Sequence, residues 1–524
     1  MRPHWKAGIA ALIAAVLLVA CGSGGEGSGG SNGVAQGGPA DPDATMRVGY
    51  GVAPTSLDPH AATSEVVSFR FGLALVYDRL FTITADGLAE GMLVESYSYS
   101  DDGLALTMSL RDGVTFRDGT PLDAEAVRVN LERAAAMESP VVSKRLEQVT
   151  GVEATGALEV RLTLSEPTPT IPYVLANVAG FIMHPELIAN GDPATEANGS
   201  GAYSVESWTP GETLTLHRDR TDYWDPDAAK IARFEYSAIT DQQAYTNAII
   251  GEQIDVGQFQ PQNVAGVEGR DGLVTVMVPQ GIGLEMFLNL RSAPLDRVEV
   301  RQAINHAYDR AAIVEALYPG SEPKWQHTRE GLPGYVPDLQ DAFPYDPERA
   351  RQLLAQAGFP DGIDLGEILV SQSVGPELTA VLQEQLGKSG IRMTPVVVDN
   401  LQIFPRYAEG DNAGMLQYTP SIETPASFAV NRFGARHPGG FPDSPEFQQL
   451  LAAADDNRLE EGEREQANQA LNRFVTEQAW GAPIVWINYP WVLSDRVQNF
   501  GAEMDYATTF GPYDFRYLTM AATD

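Results

Sequence analysis

Between Leu104 and Leu164 the hydrophobic period of the chain switches repeatedly, and that switching restricts the fold more than any other feature. Leu104, Leu106, Met108 and Leu110 alternate with Ala105, Thr107 and Ser109, the period of two that gives a strand one buried face. Arg111-Asp112-Gly113 turns the chain, Val114-Thr115-Phe116 returns it, and Asp118-Gly119 turns it again. Asp123 then precedes a helical pattern that includes Val127, Leu131 and Ala134. Its carboxylate suits an N-cap, where it accepts backbone N–H groups that have no partner inside the helix. Leu158, Val160, Leu162 and Leu164 restore the strand period, which Pro167, Pro169 and Pro172 bring to an end. Strands and helices interleaved in this way, with no short-period repeat, predict a mixed α/β fold.

The remainder of the chain obeys the same logic. Tyr203-Ser204-Val205 and Leu214-Thr215-Leu216 flank the turn-forming Pro210-Gly211, and sheet is expected again at Phe234-Glu235-Tyr236 and over 274–278. A helix is expected over 242–250, stopped by Gly251. Val300, Ala303, Ile304, Ala307, Ala311 and Val314 fall on one helical stripe. Asp346-Pro347 starts a further helix, with Asp at the N-cap and Pro where the N–H would be unpaired anyway. Leu353, Leu354 and Ala357 give it a core face, and Gly358 can end it. A last long helix is expected over 464–476.

Ahead of this body the sequence has a different character. Arg2, His4 and Lys6 precede an apolar run over 7–20, short for a membrane span and shaped like a secretory signal. Leu18-Val19-Ala20-Cys21 resembles the bacterial lipobox, which implies cleavage before Cys21 and a diacylglycerol on its sulfur. Cys21 is the one cysteine of the 524 residues, so no disulfide can form within the chain. Residues 22–40 read as a flexible Gly/Ser tether, with the folded body starting near Met46. The Gly29-Gly30-Ser31-Asn32-Gly33 spacing matches G-x-S-x-G, but a nucleophile elbow needs a strand before it and a helix after it.

Composition removes several functions. A formal net charge of −35, from 70 acidic and 35 basic residues, repels phosphate backbones and argues against nucleic-acid binding. The seven histidines form no H-E-x-x-H pattern, and with no second cysteine a zinc site would need widely separated ligands. No P-loop or dinucleotide-binding glycine pattern is present. No metal, no cofactor and no catalytic residues are expected. A binder needs only concavity, apolar surface and a few directional polar groups.

The ordered motifs resemble the extracellular solute-binding proteins of family 5, the large binding proteins of ABC importers that include oligopeptide and dipeptide binders. They are "LDP" at 57–59, "LRDGVTFRDGTPLDAEAV" at 110–127, "GAY" at 201–203, "YW" at 223–224, "GEQIDV" at 251–256, "VRQAINHAYDR" at 300–310 and "YDPERARQLLAQAGF" at 345–359. The resemblance implies a two-lobed, periplasmic-binding-protein-like α/β fold of type II, cluster C, with an additional domain inserted in the first lobe. Carried across, lobe one holds 46–80, 190–283 and 488–524, the extra domain 81–189 and lobe two 284–487. The chain would cross between lobes near Met286-Phe287-Leu288-Asn289 and Asn488-Tyr489-Pro490, and the lobes would close over a ligand. The implied protein is a monomeric lipoprotein on the extracytoplasmic face of the membrane, partnered by a small solute and by permease subunits.

For the site, residues 415–434 offer Tyr418, Ser421, Glu423, Asn431 and Arg432, and the Gly/Pro-rich loop after them offers His437. In peptide-binding relatives this region carries an Asp that pairs with the peptide's amino terminus. Here the text is "QYTPSIETP", that Asp is missing, and Glu423 is the nearest carboxylate. A buried ammonium needs a paired anion; Glu423 supplies it, sits on the surface, or binds a neutral ligand hydroxyl. Trp486, Tyr489 and Trp491 cluster near the second crossing, where aromatic faces can take a sugar or simply pack. A small peptide-like solute is therefore expected, with an oligosaccharide or other small metabolite as the alternative. A secreted hydrolase or a surface sensor or adhesin built on the same fold stands behind both.

Overall fold

Two long strands, Leu273–Leu288 and Gly481–Ser494, lie antiparallel and carry the chain from one hydrophobic core to the other. The computed structural model describes residues 38–51, 53–61, 67–84, 87–138, 140–399, 402–420, 425–426, 429, 444–500 and 514–522. In one direction the sheet continues from the crossing pair through Val256–Gln258, Thr45–Tyr50, Arg233–Ala238, Thr213–Arg218 and Tyr203–Thr209. In the other it continues through Gly414–Pro420, Ile363–Ser371 and Ile391–Val398. Thr45–Tyr50 runs parallel to both its neighbours, as does Ile363–Ser371, which makes each wing a mixed α/β sheet.

The cores change over within a few residues. Val276, Val278 and Trp491 belong to the first, and Leu284 and Ile487 to the second. The paired register slips between Pro279 and Ile282, opposite Asn488 and Ile487. That irregularity falls at the changeover, where a local kink and added twist let one ladder serve two differently oriented layers. Met286, Phe287 and Leu288, expected as a crossing, lie instead inside the second core, paired with Leu416, Met415 and Gly414.

The pattern at 104–164 forms in its two alternating strands and its helix, whereas Val114-Thr115-Phe116, expected to return as a strand, makes only an isolated bridge from Thr115 to Pro121. Ala105–Leu110 and Glu159–Leu164 pair antiparallel in a four-stranded sheet, and Leu106, Met108, Val160 and Leu162 are fully buried. Leu104 precedes the strand and is 37% exposed. Asp123 caps Ala124–Ala135 by accepting from the Ala126 N–H at 2.9 Å, a bond that stabilises a helix start by about 1 kcal/mol. Val127 and Leu131 then meet a core shared by this sheet and the first wing.

The stripe from Val300 to Val314 is two helices, Val298–His306 and Arg310–Leu317. Asp309 ends the first pattern by capping the second helix through the Ala312 N–H, and Ala311 is exposed. Pro347–Gln356 starts at the Asp346 cap, and the last long helix spans Glu461–Glu477. Among the described residues no helix is long and apolar enough to cross a membrane.

Candidate functional site

Each wing brings a tyrosine to the crossing from the carboxyl end of a strand with a parallel neighbour. Tyr50 is the last residue of Thr45–Tyr50, and Tyr418 lies near the end of Gly414–Pro420, opposite Leu284 of the first crossing strand. In open α/β sheets ligands bind beyond the carboxyl ends of the strands, because there the loops diverge and leave a crevice. Tyr489 stands on the second crossing strand opposite Val278, and Tyr318 comes directly after Arg310–Leu317. Tyr489 is within electrostatic reach of Tyr50, Tyr318 and Tyr418, and all four are half-buried. Burial pushes the phenols of Tyr318, Tyr418 and Tyr489 up, so they stay neutral hydrogen-bonding groups.

Hydrogen bonds aim these rings. The Tyr50 hydroxyl donates to Gln258 Oε1 at 2.8 Å, and the Gln260 side chain hydrogen-bonds Tyr489. The Tyr418 hydroxyl donates to the Ser373 carbonyl at 3.1 Å, just past the end of Ile363–Ser371. Asn488 is held by its own donors to Gly320 and by the Arg329 guanidinium, 2.9 Å from its Oδ1. The arrangement presents apolar ring faces from both wings beside carboxamide and hydroxyl groups. That chemistry suits a small organic solute with hydrogen-bonding ends.

Directly behind the crossing the second core holds a charged cluster. Lys324 Nζ lies 2.9 Å from Glu285 Oε2 and 2.8 Å from Thr419 Oγ1, and stands 4.2 Å from the centre of the Trp486 ring. His327 Nδ1 is 3.2 Å from Glu285 Oε1. Both side chains of the Lys324–Glu285 pair are fully buried. Burial alone would raise the Glu285 carboxyl; the charges and hydrogen bonds of His327 and Lys324 override it and hold the group at about 2. Gly481 makes the space, since a Cβ there would collide with Glu285 Oε1.

The expected site residues fall into three groups. Tyr418 and Tyr489 come together at the crossing. Trp486 and Trp491 do not present ligand faces: Trp486 is 4% exposed beneath Lys324, and Trp491 is fully enclosed among Phe71, Phe500 and Phe515. A ring closed in on both faces packs rather than binds. Ser421, Glu423, Asn431, Arg432, His437 and Cys21 lie outside the described residues. Tyr50 and Tyr318 were not anticipated. Tyr50 had a usable signal, as the last residue of an apolar-alternating segment ahead of a Gly/Pro-containing loop.

Comparison with known proteins places this geometry. Residues 89–437 match the model of the bacterial extracellular solute-binding proteins, family 5 Middle. The glutathione-binding protein GsiB of Salmonella paratyphi A is 28% identical over 370 residues, covering 69% of this chain and 70% of that protein. HbpA2 from Haemophilus parasuis superposes with a TM-score of 0.79 at 24% identity, over 91% of this chain and all of that one. The ABC transporter-associated periplasmic binding protein DppA from Helicobacter pylori, in complex with the peptide STSA, gives 0.72 at 21% identity, over 92% of this chain and 98% of that one. The fold is the two-lobed α/β fold of type II periplasmic binding proteins. With two thirds of its length matched and its two cores joined by paired crossing strands, the chain belongs to the bacterial extracellular solute-binding proteins of family 5.

Proposed function

We propose that this protein captures a small peptide-like solute at the tyrosine-lined crossing between its lobes and delivers it to the permease of an ABC importer, while a lipid on Cys21 holds it at the membrane. The observation that carries the reading is the convergence of Tyr50, Tyr318, Tyr418 and Tyr489 from both wings on one place. The names of its relatives support the solute class, since one is a glutathione-binding protein and another holds a tetrapeptide. Neutral phenols and carboxamides bind peptide groups through hydrogen bonds, and the ring faces take apolar side chains.

Isothermal titration with di-, tri- and tetrapeptides, glutathione and oligosaccharides tests it. A short peptide should bind reversibly and be recovered unchanged. Tyr489→Ala should weaken that binding at least ten-fold, and Tyr418→Ala several-fold. A neutral oligosaccharide bound in place of every peptide would overturn the solute class, and turnover of the ligand would overturn capture itself. For the anchor, mass spectrometry of membrane-extracted protein should find a mature chain that begins at a diacylglyceryl Cys21. An unmodified Cys21, or retention of residues 1–20, would remove this part of the proposal.

A further inference from the structure

A cavity lies away from the tyrosine crossing, between the four-stranded-sheet layer of the first core and the Glu461–Glu477 helix of the second. We propose that it is a separate ligand site for a small zwitterion of dipeptide size, whose carboxylate pairs with Arg464 and whose ammonium meets Glu461. Its volume is about 580 Å³, and none of the four crossing tyrosines lines it, so the site goes beyond capture at the crossing. That volume falls within the range of small-molecule pockets, roughly 300–1,000 Å³.

One helix face supplies the polar wall. Glu461, Arg464, Glu465 and Asn468 recur at the three- and four-residue spacing of neighbours on a helix. Glu465 is already engaged, accepting from the Gly334 N–H at 2.8 and 2.9 Å and from Gln469 at 2.8 Å. Arg464 is half-buried, and its hydrogen bond among the described residues is a long one, 3.4 Å to the Leu459 carbonyl. Arg128, by contrast, sits between the carboxylates of Glu125 and Glu132. Arg464 has no such pair among the described residues. Asn468 is 5% exposed and completes this wall of the cavity.

The opposite wall is apolar. The rings of Tyr97 and Tyr99 stand edge to face with centroids 6.5 Å apart, and Tyr173 and Pro172 continue the surface. The Tyr99 hydroxyl is committed to the Thr168 carbonyl at 3.0 Å, so this residue offers its ring. A simple anion would face Glu90 and Glu461 as well as Arg464, and a simple cation would meet Arg464. A zwitterion with an apolar side chain satisfies both signs, its ammonium toward Glu461 and its carboxylate toward the guanidinium. The two layers also touch directly. Asn457 Nδ2 donates to the Gly103 carbonyl at 3.0 Å, and a Cβ at Gly103 would collide with that Asn457 side chain.

The probe is the dipeptide Ala-Phe, compared with its C-terminal amide, with hydrogen–deuterium exchange as the local readout. Ala-Phe should saturably protect Glu461–Glu477 and Val94–Tyr99, and the amide should need at least ten-fold more to do so. Arg464→Gln should abolish that preference for the free acid, and wild type compared on the two ligands gives the answer even if the variant folds poorly. Absence of saturable protection, equal response to acid and amide, or an unchanged preference in folded Arg464→Gln would each overturn the proposal. Tyr489→Ala should leave the protection intact. If that change abolishes it, there is no separate site and the crossing reading survives alone. If peptides ignore Tyr489 yet protect this cavity, the crossing reading fails and the second site stands.

Discussion

Arg516→Met is expected to destabilise the first lobe by about 3–5 kcal/mol, read as a lower denaturant midpoint at unchanged slope. The Arg516 side chain is 4% exposed and ties two buried carboxylates together. Its Nε lies 2.7 and 2.8 Å from the oxygens of Asp514, and its Nη1 lies 3.1 Å from Asp78 Oδ1 and 2.8 Å from the Tyr223 hydroxyl. Burial would lift the Asp514 carboxyl, and the Arg516 charge holds it below the ordinary range. Without the guanidinium, Asp514 must either stay charged in a dry core or take up a proton. Asp78 suffers less, because Tyr223, Trp224 and Ser200 still donate to it at 2.6, 3.0 and 2.8 Å. Asp514→Asn should therefore recover much of the loss in the Arg516→Met background, and Asp78→Asn little of it. Equal recovery by the two would refute the unequal dependence.

The second large effect is expected in the other lobe. Lys324→Met removes the partner of a fully buried carboxylate and should also cost about 3–5 kcal/mol, with Glu285 left to His327. The pH dependence carries the specific signature. Glu285 is held at about 2 in the folded protein, below the 4.5 of an ordinary glutamate. A carboxyl depressed in this way adds stability above its unfolded pKa, and that stability is lost as pH falls through the folded value. Wild type should therefore lose this contribution between about pH 4.5 and 2. In Lys324→Met the gap between folded and unfolded values narrows, so stability over that interval should fall less steeply. Acid titration of the unfolding midpoint measures both slopes, and parallel curves would rule out the pairing as their cause. Thr419, next to Tyr418, shares Lys324, so a ligand bound at the crossing should also bind more weakly.

Local signals in the sequence were reliable where their physics is local. Asp123 and Asp346 cap helices because a short acidic side chain reaches the N–H three residues on, whatever surrounds it. Alternation at 159–164 marked a buried strand face for the same reason. Asp309 carried an equally local signal, and it was masked by an apolar stripe that continues across the break. The aromatic cluster around residues 486–491 misled because the strand passes from the second core to the first within it, which no local pattern marks. Trp491 turns into a core built from residues near 71, 500 and 515, while Tyr489 two positions earlier stays half-exposed at the crossing.

By itself the sequence determined the class of fold, the place of several strands and helices, and through its ordered motifs the family. These rest on periodicity, capping and turn chemistry, which act within a few residues. Only the tertiary structure decided where the chain changes cores, which tyrosines come within electrostatic reach of Tyr489, and that Lys324, Glu285 and His327 share one buried site behind them. Those depend on contacts between segments tens to hundreds of residues apart. Their register is set by the packing of the two crossing strands, and no local pattern encodes it.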